Sequence, residues 1–366
     1  MLKSSMLFPG IIIILLGFVI FPIPIVWSQY ADLPIISTRD HYDKADGTPK
    51  SNSTLYDVVD HTAKIPSCPP EIVIYVHGVW VGNNSLEKPV EVFDRVGLSL
   101  NHSGYENTLV GYSWDSDTQI DKDGHGWNIA KLIAKHNGKN LANFITNYKN
   151  DCPNSEVRIL AHSIGSRVVV EAIKNLDENL QWNQQQQKVL SVDLLGAAID
   201  DEEVSTNPND RYDDNYQPRA DAYDPAVKSI YGDVIERQVT QFHNWYNPED
   251  DVLEPEPDCI SMGFFCQPIY YPKYEGDLAL GSNGSQPTIT HPNNYNETTI
   301  ENEIAFEKDA NAENGCDLID PDTLTCTIYR EGDNHFGYIG FRDTDDQNNL
   351  IGYGAIPKVV QSWITH

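Results

Sequence analysis

Five short apolar runs alternate with longer stretches of helical periodicity, and this alternation constrains the fold more than any other feature. The clearest run is Glu71-Ile-Val-Ile-Tyr-Val-His-Gly78. The others are Leu109–Trp114, Val157–His162, Val189–Leu195 and Val239–Tyr246. Runs apolar at consecutive positions belong to strands buried on both faces, as in a parallel sheet. Between them, Ile129, Leu132, Ile133, Leu141, Phe144 and Ile145 follow the spacing of one helix face, so 128–149 is predicted helical. A second helix is predicted over 166–176, directly behind a strand, and a short last one over 359–364. Strands and helices in this order give an α/β class: a doubly wound, mostly parallel sheet with helices on both faces. No internal repeat breaks the pattern.

The 366 residues carry 25 Lys+Arg against 54 Asp+Glu, a net charge of −29, with 40% hydrophobic residues. That apolar content suffices for a sizeable core. The acidity excludes a nucleic-acid partner, which needs a basic face, and disfavours anionic membrane surfaces. Leu7 to Trp27 is apolar apart from small residues, and Pro9 and Pro22 bracket its uninterrupted part, Gly10 to Phe21. Residues 1–28 are therefore a signal peptide, with Val26 and Ser28 before a cleavage point at Gln29, or a retained membrane anchor and tether through residues 7–27. Either reading puts the remainder outside the cytoplasm. Six cysteines without a C-x-x-C pair, and sequons at Asn52, Asn83, Asn101, Asn283 and Asn296, agree with export. Residues 29–69 form a polar leading segment with room for one short strand. Residues 70–366 form the main domain, with an exposed excursion at 200–225 and a loop-rich, disulfide-stapled insertion at about 254–330.

The chemistry centres on Ala161-His162-Ser163-Ile164-Gly165-Ser166, which follows a buried strand and opens a helix. A tight strand-to-helix turn lifts one side chain off the sheet, and small residues two positions either side let it close. A plain βα turn with a capping serine is the bland alternative. Here the chain resembles the α/β-hydrolase superfamily, whose Gly-x-Ser-x-Gly elbow often appears as Ala-His-Ser-x-Gly. The resemblance implies Ser163 as nucleophile. His162 is read as a packing residue. His77-Gly78-Val79-Trp80 ends another buried strand, where the superfamily has its oxyanion turn. The implied donors are the backbone N–H groups of Val79 and Ile164.

The superfamily's chain order is serine, acid, histidine, which restricts the search. Asn247-Pro-Glu-Asp-Asp-Val-Leu253 resembles the acid turn. Asp250 fits its register, with Val252 and Leu253 at +2 and +3; Asp251 is the alternative acid and Glu249 a third. Downstream lie His291, His335 and His366. His335, in a tight loop before the final helix, is the implied base. His291 sits in a flexible-looking loop and His366 is the last residue. In the resembled fold the strands carrying His77 and Ser163 are parallel neighbours, which implies a Cys68–Cys152 disulfide ahead of them. Cys259–Cys266 and Cys316–Cys326 then remain as short local loops.

Trp80, Trp114 and Trp127 line a pocket or pack in the core. Asp115, Asp117, Asp121 and Asp123 suggest a calcium loop but miss the EF-hand spacing, so a solvated acidic loop is the reading kept. No cofactor or metal fingerprint is present. The resemblance implies an exported serine hydrolase of esterase or lipase type, acting on a small-molecule or lipid-like ester through an acyl-enzyme. A non-catalytic cell-surface binding domain and a secreted peptidase on the same fold are the alternatives.

Overall fold

A computed structural model describes residues 33–58, 64–79, 87–118, 125–210, 229–250, 252–253, 278–300, 316–319, 326–329, 335–342 and 350–365. The leading segment supplies β1 (Ile35–Ser37) and β2 (Asp57–Val58). Next come β3 (Glu71–Val76), α1 (Glu87–His102), β4 (Thr108–Ser113), α2 (His125–Asp151) and β5 (Glu156–His162). They are followed by α3 (Gly165–Glu178), α4 (Leu180–Gln184), β6 (Val189–Leu195), α5 (Gly232–Gln238) and β7 (Val239–Tyr246). The remainder holds α6 (Leu280–Asn283), β8 (Tyr295–Thr299), a hairpin of β9 (Cys316–Ile319) and β10 (Cys326–Tyr329), a 3-10 helix (His335–Ile339), β11 (Phe341–Arg342), β12 (Leu350–Gly352) and α7 (Ile356–Thr365).

The main sheet has eight strands in the order β2-β1-β4-β3-β5-β6-β7-β8. Only β1 and β2 pair antiparallel; the other neighbours are parallel. This is the doubly wound α/β sheet that the alternation predicts. Successive side chains of β3 divide between two cores, as a period of two requires. Ile72, Ile74 and Val76 join the cluster with residues of α2 and α3, while Val73 and Tyr75 join the one with residues of α1 and α7. Both faces are thus dry, which explains why β3 reads as an unbroken apolar run.

The leading segment is not an appendage: β1 lies in the sheet beside β4. Its following turn is pinned by two acids of the expected acidic loop. Asp115 accepts from the backbone N–H groups of Asp40 and Tyr42 at 2.9 and 3.0 Å. Asp117 pairs with Arg39 and Lys44 at 3.2 and 2.7 Å. Asp115 is therefore buried and hydrogen-bonded rather than solvated, while Asp121 and Asp123 lie outside the described residues. The excursion at 200–225 also begins differently from the expectation. Asp200 to Ser205 is buried, because Arg167 pairs with Glu203 at 2.6 Å and Asn283 donates to Asp201 at 2.9 Å.

Cys68 and Cys152 form a disulfide with a Cα separation of 5.1 Å, ahead of the neighbouring strands β3 and β5. Cys259 and Cys266 lie outside the described residues. The register of β9 and β10 sets Cys316 opposite Tyr329 and Cys326 opposite Ile319, and the side chains of this hairpin are outside the description. So are residues 1–32, which include the tether, and residues 80–86, which include Trp80 and Asn83. Among the described residues no helix is long and apolar enough to cross a membrane, and no group of three or more His, Cys, Asp or Glu could hold a metal ion.

Candidate active site

The elbow is built where β5 hands over to α3. Ser163 has φ +56°, a left-handed conformation that a non-glycine residue adopts only when its surroundings impose it. Its N–H donates to Leu195 O at the end of β6, at 3.0 Å, and its carbonyl accepts from Ala198 N at 3.2 Å. Two glycines make room. A Cβ at Gly165 would lie 2.6 Å from Val76 O and 2.7 Å from His77 O, so the start of α3 abuts the end of β3. A Cβ at Gly78 would lie 2.8 Å from Ser163 Cβ. The His77-Gly78-Val79 turn therefore passes directly over the serine, with Val79 and Ile164 both buried beside it.

His77 holds that turn. Its Nε2 accepts the backbone N–H of Trp114 at 3.2 Å, so the proton sits on Nδ1, which donates to Gly78 O at 2.8 Å. Burial, followed by nearby Arg39, pushes the His77 pKa down to about 3, which keeps this neutral tautomer in place. With Gly78 O fixed, the Val79 N–H of the same trans peptide faces the opposite way. Trp114 stacks on His77 and donates its indole N–H to His77 O at 2.9 Å, so it packs in the core, as does Trp127.

Asp250 and His335 meet at the same edge of the sheet. Asp250 is fully buried in the turn after β7. Its Oδ1 accepts from the backbone N–H groups of Val252 and Leu253, both at 3.0 Å. Those are the residues whose apolar character singled out the register. His335 Nδ1 donates to Asp250 Oδ2 at 2.7 Å and lies 3.0 Å from Oδ1. With its proton on Nδ1, the neutral ring has its lone pair on Nε2. Glu249 is exposed, and Asp251 lies outside the described residues, as does His366. His291 is engaged elsewhere, with Ser285 Oγ at 2.7 Å from its Nε2.

Two residues join this arrangement that sequence reasoning did not assign. His162, read as packing, is indeed buried, but its Nε2 also donates to His335 O at 2.7 Å. Tyr338 donates its hydroxyl to Asp250 Oδ2 at 3.0 Å. The spacing His335-x-x-Tyr338 was the available signal: residues three apart eclipse each other on a 3-10 helix, so both reach one carboxylate.

The chain matches no curated protein. Among solved structures, 65 chains match. Trichoderma reesei cutinase in complex with a C11Y4 phosphonate inhibitor is 20% identical, with 36% of this chain and 53% of that one covered and a TM-score of 0.23, so the chain spans about half the length of that cutinase. The catalytic core domain of acetyl xylan esterase from Trichoderma reesei is 11% identical, with coverages of 37% and 68% and a TM-score of 0.25. A cutinase-like protein from Cryptococcus sp. is 14% identical, with coverages of 61% and 96% and a TM-score of 0.26. A family profile described as "Alpha/beta hydrolase of unknown function (DUF900)" matches residues 57–253. That span takes in His77-Gly78-Val79, the turn at Ser163 and the turn at Asp250, and stops short of His335. Covering more than half of the sequence, it establishes that the chain belongs to this α/β-hydrolase family.

Proposed function

We propose that this hydrolase is a serine enzyme that cleaves a carboxylic ester through an acyl-enzyme. The observation that carries the reading is the hydrogen bond from His335 Nδ1 to buried Asp250, on a histidine tied through its carbonyl to the residue preceding Ser163. Ser163 is the nucleophile, His335 the general base and Asp250 the group that fixes the base's tautomer.

His335 Nε2 takes the Ser163 Oγ proton as Oγ attacks the ester carbonyl carbon. The carbonyl oxygen becomes an oxyanion and is stabilised by the Val79 and Ile164 N–H groups, each worth a few kcal/mol. The tetrahedral species collapses as His335 returns the proton to the departing alkoxide, which leaves as the alcohol. Water then repeats the sequence on the acyl-enzyme, giving the carboxylic acid and restoring Ser163. Asp250 accepts the hydrogen bond from Nδ1 throughout and faces the imidazolium that forms.

Export is part of the same reading. It is supported by the Cys68–Cys152 disulfide, since such bonds persist in oxidising compartments, and by the apolar segment at residues 7–27.

The test is covalent labelling of the full chain with a fluorophosphonate probe, alongside ester and aminoacyl-amide substrates of graded acyl length. Labelling at Ser163, lost in Ser163→Ala together with roughly 10³-fold or more of kcat, is the expected result. A folded wild-type chain that takes no label would overturn the proposal and favour a binding domain. Faster turnover of amides than of esters would make it a peptidase.

A further inference from the structure

We infer that His162 is a positioning residue, a neutral clasp that holds the base His335 at working distance from the nucleophile. This deepens the serine-hydrolase reading and rests on it. The need for a clasp follows from where His335 sits. It begins a 3-10 helix of five residues, too short and too poorly hydrogen-bonded to define its own position. Its place is set by tertiary ties. Asp250 and Tyr338 fix it to the acid turn, Ala355 N to Tyr338 O at 2.8 Å fixes it to the start of α7, and Ser99 to Ile339 O at 3.2 Å fixes it to α1. None of these refers it to the strand that carries Ser163. The His162 bond does, at 2.7 Å.

His162 is the last residue of β5 and adjoins Ser163 in the chain. Its ring centroid lies 4.7 Å from that of His335, and its Nδ1 would be 3.3 Å from a Cβ on Gly78. One buried ring thus lies close to Gly78, adjoins the nucleophile in the chain and hydrogen-bonds the carbonyl of the base. A carbonyl accepts, so Nε2 must carry the proton. Burial, with His335 close by, holds the His162 pKa well below its ordinary value, so the clasp adds no positive charge beside a base that must itself become cationic. Reaction rates fall steeply when the reacting groups are displaced by about 1 Å.

Three variants of the full chain separate this role from packing. His162→Phe keeps a ring without a donor. His162→Gln places an amide N–H near the Nε2 position. His162→Asn places it near Nδ1, out of reach of His335 O. Fluorophosphonate labelling of Ser163 gives the rate without a known substrate, and thermal melting reports folding. Labelling should slow by roughly ten- to a hundredfold in the Phe and Asn variants and recover to within about fivefold of wild type in the Gln variant. A folded Phe variant within about threefold of wild type would overturn the clasp, as would equal losses in Phe and Gln. If the Phe variant does not fold, the Gln–Asn pair makes the same comparison, and equal rates in that pair overturn it. A wild-type chain that takes no label at Ser163 defeats the hydrolase reading instead, which keeps the two failures apart.

Discussion

Tyr338 donates its hydroxyl to Asp250 Oδ2 at 3.0 Å, one 3-10 turn along from His335, which donates to the same oxygen at 2.7 Å. The carboxylate thus has four donors, because the Val252 and Leu253 N–H groups meet its other oxygen. Tyr338 also reaches Gly281 O at 3.3 Å and so links the acid turn to α6.

Tyr338→Phe removes one donor to a charged acceptor, an interaction worth about 1.5–3 kcal/mol, and keeps the ring. The His335–Asp250 bond survives on the remaining support. The expected outcome is a fall of about tenfold in kcat with KM nearly unchanged, because the loss touches the base's orientation and not substrate contacts. Steady-state kinetics on a chromogenic ester measure both. An unchanged kcat would reduce Tyr338 to a packing role.

The acid itself is tested by Asp250→Asn beside Asp251→Asn. In Asp250→Asn the amide presents a donor where His335 Nδ1–H needs an acceptor, which favours the wrong tautomer. A fall of about 10³–10⁴ in kcat is expected, against less than about threefold for Asp251→Asn. The reverse ranking moves the acid to Asp251. Small effects from both would sink the triad.

β3, β5 and β6 were legible in the sequence because they are buried on both faces, and β7, although part of its length is exposed, kept enough buried apolar residues to read at the bounds the structure has. Elements whose environment is one-sided were not. β8, Tyr-Asn-Glu-Thr-Thr, is an edge strand with mostly exposed side chains and reads as a polar turn. β1 has three residues, too few for any periodicity to show. In α1, Pro89 in the first turn masks a helix whose Phe93, Val96 and Leu100 form a buried stripe. The site follows the same logic. Ser163, Asp250 and His335 stand in motifs with a fixed chain order. The contact of His162 arises only when a loop some 170 residues downstream closes over the elbow, which no local pattern encodes, whereas Tyr338 left a trace in its three-residue spacing from His335.

The Cys68–Cys152 bond spans 84 residues and lies ahead of β3 and β5, at the sheet edge opposite Ser163. A loop of that length stabilises by up to about 4–5 kcal/mol in the chain-entropy model. Replacing both cysteines by serine should lower the melting temperature by several degrees and leave kcat of the folded enzyme within about twofold. A large kcat loss at a temperature where the variant is fully folded would show that the bond acts on the site as well as on stability.

Asp193 gives stability a pH dependence of its own. Its carboxyl is buried under the indole N–H groups of Trp245 and Trp363, at 3.0 and 2.8 Å, and the Ser191 hydroxyl at 3.0 Å, so it ties α7 to β6 and β7. Burial outweighs these donors and raises its pKa to about 6. The folded chain then holds this proton where the unfolded chain, with an ordinary carboxyl, has released it. The resulting stabilisation is complete below the unfolded pKa of about 4 and is lost as pH rises through about 6. A shift of that size corresponds to about 3 kcal/mol. Asp193→Asn does not titrate, so the gap in unfolding free energy between wild type and variant should widen in favour of wild type as pH is lowered from 7.5 to 4.5. Urea titrations of both chains across that range measure it. A gap independent of pH would mean that Asp193 titrates alike in the folded and unfolded chains, and that its three donors and nearby Arg158 match the full cost of burying its charge.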